Sequence, residues 1–340
     1  MTAYIVRRLG LALIVMFGVS VLTFLLTVIV PSNPALRWVG PHAKLEQVEQ
    51  AKIELGLDKP VHIRYFKYIS GFLRGNWGVS IRTHQPVLRD IATYLPASLE
   101  LIIFGMLLGF AVGIPLGIAS AVRDGTMVDH GSRVFSIMGV ALPTFWLGMI
   151  LQLVFFKQLG LFPLAGRVAM MTRFTSPIEH ITGFYLFDSL ITGNFTAFGS
   201  ALSHIVLPGI TLAAYPLGLS ARMTRATMLE VLEEDYIRTA RACGLRERKI
   251  LRGYALRNAI GPVITVGALA FAYSLVETFL IESVFTWPGL GQYASKAILS
   301  VDYPAIMGVA IMIAFTYVLL NLLVDLTQAF LDPRIRLGQG

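Results

Sequence analysis

Side chains that could carry out a chemical reaction are sparse and scattered in this sequence of 340 residues. The single cysteine, Cys243, excludes an internal disulfide and a cysteine-based zinc site. No glycine-rich phosphate-binding loop of the form G-x-x-x-x-G-K-[ST] is present, so we expect the chain not to bind ATP. No Ser/His/Asp set or carboxylate pair stands out. We interpret the six histidines as polar loop residues, since none of them pairs at metal-ligand spacing: His42, His62, His84, His130, His180 and His204.

Two carboxylates interrupt an apolar run at 260–284, and a third lies in the next run. Ionisable groups at membrane depth usually face the interior of a helix bundle or a water-filled cavity. Glu277 and Glu282 are five residues apart, so at about 100° per residue they point to different faces of a helix. Two interpretations of Glu277 stay open: it lines a path and meets a cationic group, or it is a packed carboxyl. Asn321 and Asp325, at i and i+4, favour polar contacts between helices.

The most distinctive segment is polar and basic, and it lies between two apolar runs at 233–259 (EEDYIRTARACGLRERKILRGYALRNA). Its acidic start complements a helix dipole, and Gly244 permits the left-handed turn that ends a helix. Tyr236, Ala240 and Cys243 are spaced to form one face of that helix. Its small residues would allow close approach to a partner's groove: Thr239, Ala240 and Ala242. The alternative is an ordinary basic helix at the membrane surface.

The composition predicts one membrane domain. Hydrophobic residues make up 55% of the chain, charged residues only 14%, and the mean hydropathy is +0.69. The net charge of +8 could indicate nucleic-acid binding, but the basic residues cluster beside apolar runs, so membrane topology explains them better. Six runs approach the length of about 20 residues that crosses a bilayer. They are 9–30, 99–122, 134–156, 205–220, 260–284 and 304–330, the fourth weakened by two prolines.

Basic residues in the short loops predict the orientation. In a six-span order, Arg7 and Arg8, the loop 123–133, the segment 221–259 and the end of the chain all fall on one side. The positive-inside rule then places both termini in the cytoplasm. The run 9–30 is too long for a signal peptide and no cleavage site follows it, so we interpret it as an uncleaved span.

These patterns predict three parts of the chain. They are a short cytoplasmic stub with the first span (1–30), an external loop (31–96), and a five-span core (97–340) that contains the cytoplasmic segment 221–259. The loop has helical spacing at 45–55 and an aromatic-rich stretch at 62–73, which indicate a folded external cap.

The pattern D-Y-x-R-T-A-R-A-x-G at 235–244 resembles the coupling motif in the membrane subunits of bacterial ABC importers, close to the dipeptide/oligopeptide branch. Further strings match that family in order along nearly the whole chain: R-R-L at 7–9, L-G-L-D-K-P at 55–60, L-E-L at 99–101, M-T-R at 223–225, L-R-N-A at 256–259, W-P-G-L-G at 287–291 and D-P-R-I-R at 332–336. Glu282 precedes the W-P-G-L-G string and resembles a family position, which favours a structural or gating role. Departures occur at 31–34, at 75–78 and at Cys243.

The resemblance implies an all-α integral membrane protein: the six-span permease subunit of a type I ABC importer, with a folded external loop between spans 1 and 2. It implies contact with the ATPase through Asp235, Tyr236, Arg238, Thr239, Ala240, Arg241 and Gly244, and it leaves Glu277 and Glu282 as candidates for the substrate path.

The implied assembly contains a second homologous permease subunit, two cytoplasmic ATPase subunits and an external substrate-binding protein, in the lipid bilayer of a bacterial inner membrane. The chain itself would hold no cofactor, since ATP and magnesium would bind to the ATPase subunits, and no nucleic acid. It would be a transport subunit, not an enzyme, and would translocate dipeptides or oligopeptides by alternating access.

Alternatives within the same architecture are nickel, glutathione and oligosaccharides. A secondary transporter is disfavoured because the sequence shows no inverted repeat.

Overall fold

The computed structural model describes residues 2–29, 34–40, 42–54 and 56–331. Its helices are α1 (Thr2–Ile29), α2 (Pro34–Val39), α3 (Leu45–Glu54), α4 (Val61–Leu73), α5 (Val87–Val122), α6 (Met127–Ala141), α7 (Thr144–Leu151), α8 (Met170–Thr175), α9 (Tyr185–Ile191), α10 (Phe195–Leu232), α11 (Asp235–Ala242), α12 (Glu247–Lys249), α13 (Leu256–Val284), α14 (Leu290–Ser300) and α15 (Tyr303–Leu331). One π-helical segment, Gln152–Gln158, follows α7, and a second, Ile250–Ala255, precedes α13.

Five helical stretches among the described residues are long and apolar enough to cross a membrane, and a bent pair adds up to one more. The five are Gly10–Ile29, Val87–Val122, Phe195–Leu232, Glu247–Val284 and Tyr303–Leu322. They agree in position with five of the six predicted runs.

The predicted third span, 134–156, corresponds to a bent pair of helices. It covers the second part of α6 and all of α7, and the pair bends by 106° at a short break. Pro143 causes the break, because proline lacks an N–H and disfavours helical backbone in the residue before it. Leu142 accordingly takes an extended conformation with ψ 132°.

The fourth span is longer than its prolines suggest. Pro208 and Pro216 lie inside the continuous 38-residue helix α10, which extends well beyond the predicted 205–220. Glycines at every fourth position of α5 let the two helices approach closely, as small residues commonly do between membrane helices. A Cβ on Gly113 would lie 2.1 Å from Ser220 Oγ, and one on Gly105 would lie 2.5 Å from Leu212 Cδ2. Packing of this kind stabilises a helix that its proline content alone would weaken.

The described chain divides into two compact units. The first contains 1–97 and 288–319, and the second contains 98–287 and the chain from 320 onward. In the first unit, α3 packs through Val48 and Ala51 against Ala35, with Trp38 and Leu57 alongside. This division differs from the three predicted parts, because residues 288–319 group with the N-terminal part of the chain.

A polar network fixes the loop between α4 and α5 in the first unit. Asp302 accepts hydrogen bonds from Ser80 Oγ at 2.5 Å and from the Arg82 N–H at 3.1 Å. Asp90 accepts from Thr83 Oγ1 at 2.5 Å and from the Tyr293 hydroxyl at 2.9 Å. Both acids are buried, so their hydrogen bonds hold this loop in one conformation.

Candidate coupling and transport site

The predicted helix in the basic segment is α11, which ends at the expected position. Gly244 has φ +75°, which is the left-handed conformation predicted for it. Its N–H donates to the carbonyl of Arg241 at 2.9 Å, and the next N–H, from Leu245, donates to Ala240 at 3.2 Å. These bonds satisfy the last carbonyls of the helix and turn the chain sharply towards α12.

One face of α11 is buried within this chain. Ile237 is fully buried and Ala240 is 8% exposed. They pack against a single apolar cluster, the coupling cluster, whose other buried members are Ala121, Met228, Ile250, Ala255 and Ala259. The cluster therefore joins α11 to the adjoining ends of α5, α10 and α13.

This burial corrects the predicted partner-facing role of Ala240. Its small side chain lets α11 lie close to its own membrane helices, so it is not available to a partner's groove. Tyr236 and Cys243, which the sequence spacing put on the same face as Ala240, are exposed. The buried pair is spaced i, i+3, and its isoleucine is the larger apolar residue.

The opposite face of α11 is polar and open. Exposed residues are Asp235, Tyr236, Arg238, Thr239, Arg241 and Gly244. Arg238 lies 3.3 Å from Asp235, and Arg241 lies 2.9 Å from Glu247 in α12. Ion pairs this exposed contribute little to stability. They leave both charge signs on a surface that another protein can reach.

Tyr236 is anchored although it is exposed. Asn258 Nδ2 donates to the Tyr236 hydroxyl at 2.8 Å and to the carbonyl of Tyr254 at 3.1 Å. This bond connects α11 to the start of α13, beside the coupling cluster.

A buried ion pair that the sequence pattern did not indicate lies at the end of α10. Arg225 Nε donates to Asp129 Oδ1 at 2.6 Å, and its Nη2 donates to Asp124 Oδ1 at 2.6 Å. Asp129 is fully buried and also accepts from Ser120 Oγ at 2.6 Å. The network ties α10 to the connection between α5 and α6. Arg225 stands in the matched M-T-R string, but nothing in a single sequence names its partner 96 residues away.

Glu282, a candidate for the substrate path, is completely buried and accepts a hydrogen bond from Ser98 Oγ. This contact joins α13 to α5. A carboxylate enclosed in this way links the two helices.

A second buried ion pair holds the connection between α7 and α10. Arg167 pairs with Glu100, and both side chains are 5% exposed. The Arg167 guanidinium lies 3.6 Å from the ring centre of Tyr185, and Glu100 Oε1 accepts from the N–H of Leu186 at 2.7 Å. Arg167 stands in a loop between two predicted spans, and its sequence neighbours do not indicate a buried partner 67 positions away.

Asp188 organises the same connection from within α9. Burial alone would raise its pKa, but hydrogen bonds to its carboxylate outweigh burial and lower it. They come from the Thr182 hydroxyl at 2.6 Å and from the N–H groups of Ile181, Thr182 and Gly183. The charged form is therefore the one that the folded loop stabilises.

Glu277 differs from the buried acids, because the residue as a whole is only partly buried. Its Oε2 is buried and has no hydrogen-bond partner among the residues that the structure describes. Tyr273, one helical turn earlier, contacts Tyr215 of α10 with ring centres 4.5 Å apart. An acceptor left unpaired in this part of the chain is open to a further hydrogen-bond donor.

Other predicted positions lie outside what the structure describes. These are the side chain of Asp325 and the string at 332–336. Within the described part of the chain, no three His, Cys, Asp or Glu side chains group closely enough to hold a metal ion.

Comparisons with known proteins identify the family. A family model described as the binding-protein-dependent transport system inner membrane component matches residues 113–337. The chain belongs to this family. The model for the N-terminal part of such membrane components matches residues 1–102 of the permease.

Curated relatives match this permease along almost its whole length. It is 44% identical to the probable D,D-dipeptide transport system permease protein DdpB of Escherichia coli (strain K12), over 98% of this chain and 97% of the relative. It is 40% identical to the dipeptide transport system permease protein DppB of the same strain, over 99% of each. These matches confirm the predicted family.

A solved structure supports the membrane fold. The permease resembles a chain of the MetNI methionine ABC transporter in an inward-facing conformation, with a TM-score of 0.52 and 14% identity, over 69% of this chain and 93% of that chain. The all-α membrane fold expected from the sequence is thereby confirmed.

Proposed function

We propose that this permease forms part of the membrane path of an ATP-driven importer for dipeptides and short oligopeptides. The observation that carries the proposal is its whole-length similarity to permeases named for dipeptide transport. Peptides are preferred to nickel, glutathione or oligosaccharides because two of the most similar relatives bear peptide names.

The coupling cluster supports a route for mechanical force. An ATPase subunit that docks on the exposed face of α11 would move this helix, and Ile237 and Ala240 would pass the movement to three membrane helices through one apolar contact. Closely packed interiors transmit such displacements because they resist compression. The Arg225–Asp129 pair would keep α6 and α10 moving together.

The proposed partners follow from this arrangement. Two ATPase subunits would bind and hydrolyse ATP with magnesium, because this sequence has no phosphate-binding loop of its own. A second, homologous permease subunit would complete the path, and an external binding protein would deliver the peptide. The short-loop charges favour an orientation with both termini and α11 in the cytoplasm and 31–96 outside a bacterial inner membrane.

Glu277 is the candidate for contact with substrate. Its unpaired carboxyl oxygen could accept a hydrogen bond from the terminal ammonium group of a peptide, with the Tyr215–Tyr273 pair beside it. Charge-assisted hydrogen bonds of this kind are the stronger ones in low-dielectric surroundings.

Uptake into proteoliposomes tests the proposal. The chain is co-expressed and purified with candidate permease and ATPase subunits from the same organism, and a labelled alanine dipeptide is supplied with the candidate binding protein. We expect accumulation that requires ATP on the ATPase side and requires the binding protein. Accumulation of nickel or an oligosaccharide in place of the dipeptide would overturn the peptide assignment, and uptake driven by an ion gradient without ATP would overturn the mechanism.

A further inference from the structure

A cavity of about 270 Å³ lies within the first unit and has no part in the coupling route. Its walls come from the last turns of α1, from α4, from the loop after α4 and from the first turns of α15. The apolar stretch Gly10–Ile29 ends at this point, and the apolar stretch Tyr303–Leu322 begins there. The cavity therefore lies at the ends of two helical stretches that are long and apolar enough to cross a membrane.

The lining combines an apolar interior with positive charge. Aromatic and aliphatic side chains supply the interior: Phe24, Trp38, Trp77, Ile81 and Met307. Lys59, Arg64 and Lys67 are the charged residues of the lining, and all three are basic. Arg64 and Lys67 are spaced i, i+3 on α4, so both project from one side of that helix. Among the described residues, none of the three forms an ion pair with an acid of this chain.

One polar atom in the cavity is unpaired. Tyr68 follows Arg64 by one helical turn and lines the same cavity, and its buried hydroxyl has no hydrogen-bond partner in the described part of the chain. Burial, and to a smaller extent Tyr65, raise the pKa of Tyr68, so the hydroxyl stays protonated and can donate. A buried donor without an acceptor is uncommon in a folded protein, and an oxygen-rich ligand would satisfy it.

We propose that this cavity binds an anionic phospholipid, with one acyl chain against the apolar lining and the phosphate beside Lys59, Arg64 and Lys67. Aromatic residues with Lys and Arg are characteristic of the membrane–water boundary, where lipid headgroups lie. The three cations, none of which pairs with an acid among the described residues, select a negative headgroup, and the Tyr68 hydroxyl donates to a phosphate or ester oxygen. A soluble peptide or acidic protein segment would not need a cavity whose walls begin at the ends of membrane helices.

Native mass spectrometry of the assembled transporter tests the proposal. The complex is delipidated in detergent and then mixed with phosphatidylglycerol and phosphatidylcholine of equal chain length. The natural chain should retain phosphatidylglycerol in preference to phosphatidylcholine. The double substitution Arg64→Gln and Lys67→Gln should weaken that retention about thirty-fold, equivalent to about 2 kcal/mol for two cations near a headgroup. The matched control, Lys44→Gln with Arg74→Gln, removes the same charge from residues that do not line the cavity, and it should retain the preference.

Tyr68→Phe separates ligand binding from structural support. Without lipid, the melting temperature of this variant should equal or exceed that of the natural chain, because the substitution removes a buried hydroxyl that is unpaired among the described residues. With phosphatidylglycerol it should gain less stabilisation than the natural chain.

Four results would overturn the proposal. The first is equal retention of the two lipids by the natural chain. The second is unchanged preference in the double variant. The third is displacement of phosphatidylglycerol by glycerol phosphate alone, which would indicate a site for a small anion. A double variant that loses the binding protein while keeping its lipid preference would also contradict it.

Discussion

Gly244→Val should uncouple transport from ATP hydrolysis. Residue 244 has φ +75°, and a Cβ placed there would meet no other atom within 4 Å. The free-energy cost of the substitution is therefore almost entirely backbone strain. It is about 2 kcal/mol for a residue with a β-carbon and more when the residue is β-branched. About 2 kcal/mol lowers the population of the correct turn roughly thirty-fold.

Two control substitutions isolate the turn from the added bulk. Asparagine tolerates the left-handed conformation, so Gly244→Asn should keep most activity. Gly253→Val adds the same atoms in the same segment at a position without positive φ, where a Cβ also meets nothing within 4 Å. Peptide uptake and peptide-stimulated ATP hydrolysis are measured on complexes of equal subunit content. Equal uptake by Gly244→Val and Gly253→Val would refute the argument that this turn positions the coupling helix.

Three other substitutions test separate parts of the structure. Ala240→Arg buries an unpaired charge in the coupling cluster and should sharply reduce co-purification of the ATPase, whereas Ala240→Ser, which keeps the side chain small and uncharged, should not; equal yields would contradict the packing. Glu277→Gln should lower uptake of a lysine-containing dipeptide about five-fold relative to an alanine-only one if the charge contributes about 1 kcal/mol, and an unchanged ratio with normal assembly would exclude it from selection. Asp188→Asn should destabilise the chain by about 1–3 kcal/mol at neutral pH. Because the pKa of Asp188 is lowered in the folded state, its stabilisation is present above about pH 4 and is lost as pH falls through the folded value. The difference in melting temperature between the natural chain and Asp188→Asn should therefore narrow in acid. A difference that stays constant with pH would be evidence that the charged form is not the stabilising one.

The features that sequence predicted best are local ones. The helix Asp235–Ala242 and its left-handed glycine follow from capping chemistry within ten residues of chain. Five of the spans follow from continuous apolar length. Such features depend on neighbours in the sequence, so no tertiary information is needed to place them.

The features that sequence missed depend on tertiary packing. Pro208 and Pro216 do not break α10, since the glycines of α5 let its neighbour pack tightly. Ala240 was assigned to a partner's groove because small size favours close approach, but the sequence does not say which neighbour is approached. The ion pair between Glu100 and Arg167 joins residues 67 positions apart, and their types alone do not distinguish a buried pair from two surface charges.

Cys243 provides the most direct measurement of the central claim, that α11 is the contact for the ATPase. It is the single cysteine of the sequence, is exposed, and directly follows the helix. A short thiol-to-amine crosslinker is attached to the assembled transporter, and the products are identified by mass spectrometry. We predict a crosslink from Cys243 to the ATPase subunit that disappears in Cys243→Ser and changes in yield when ATP binds. Crosslinks from Cys243 only to the external binding protein, or none to the ATPase in a complex that transports peptide, would contradict the account.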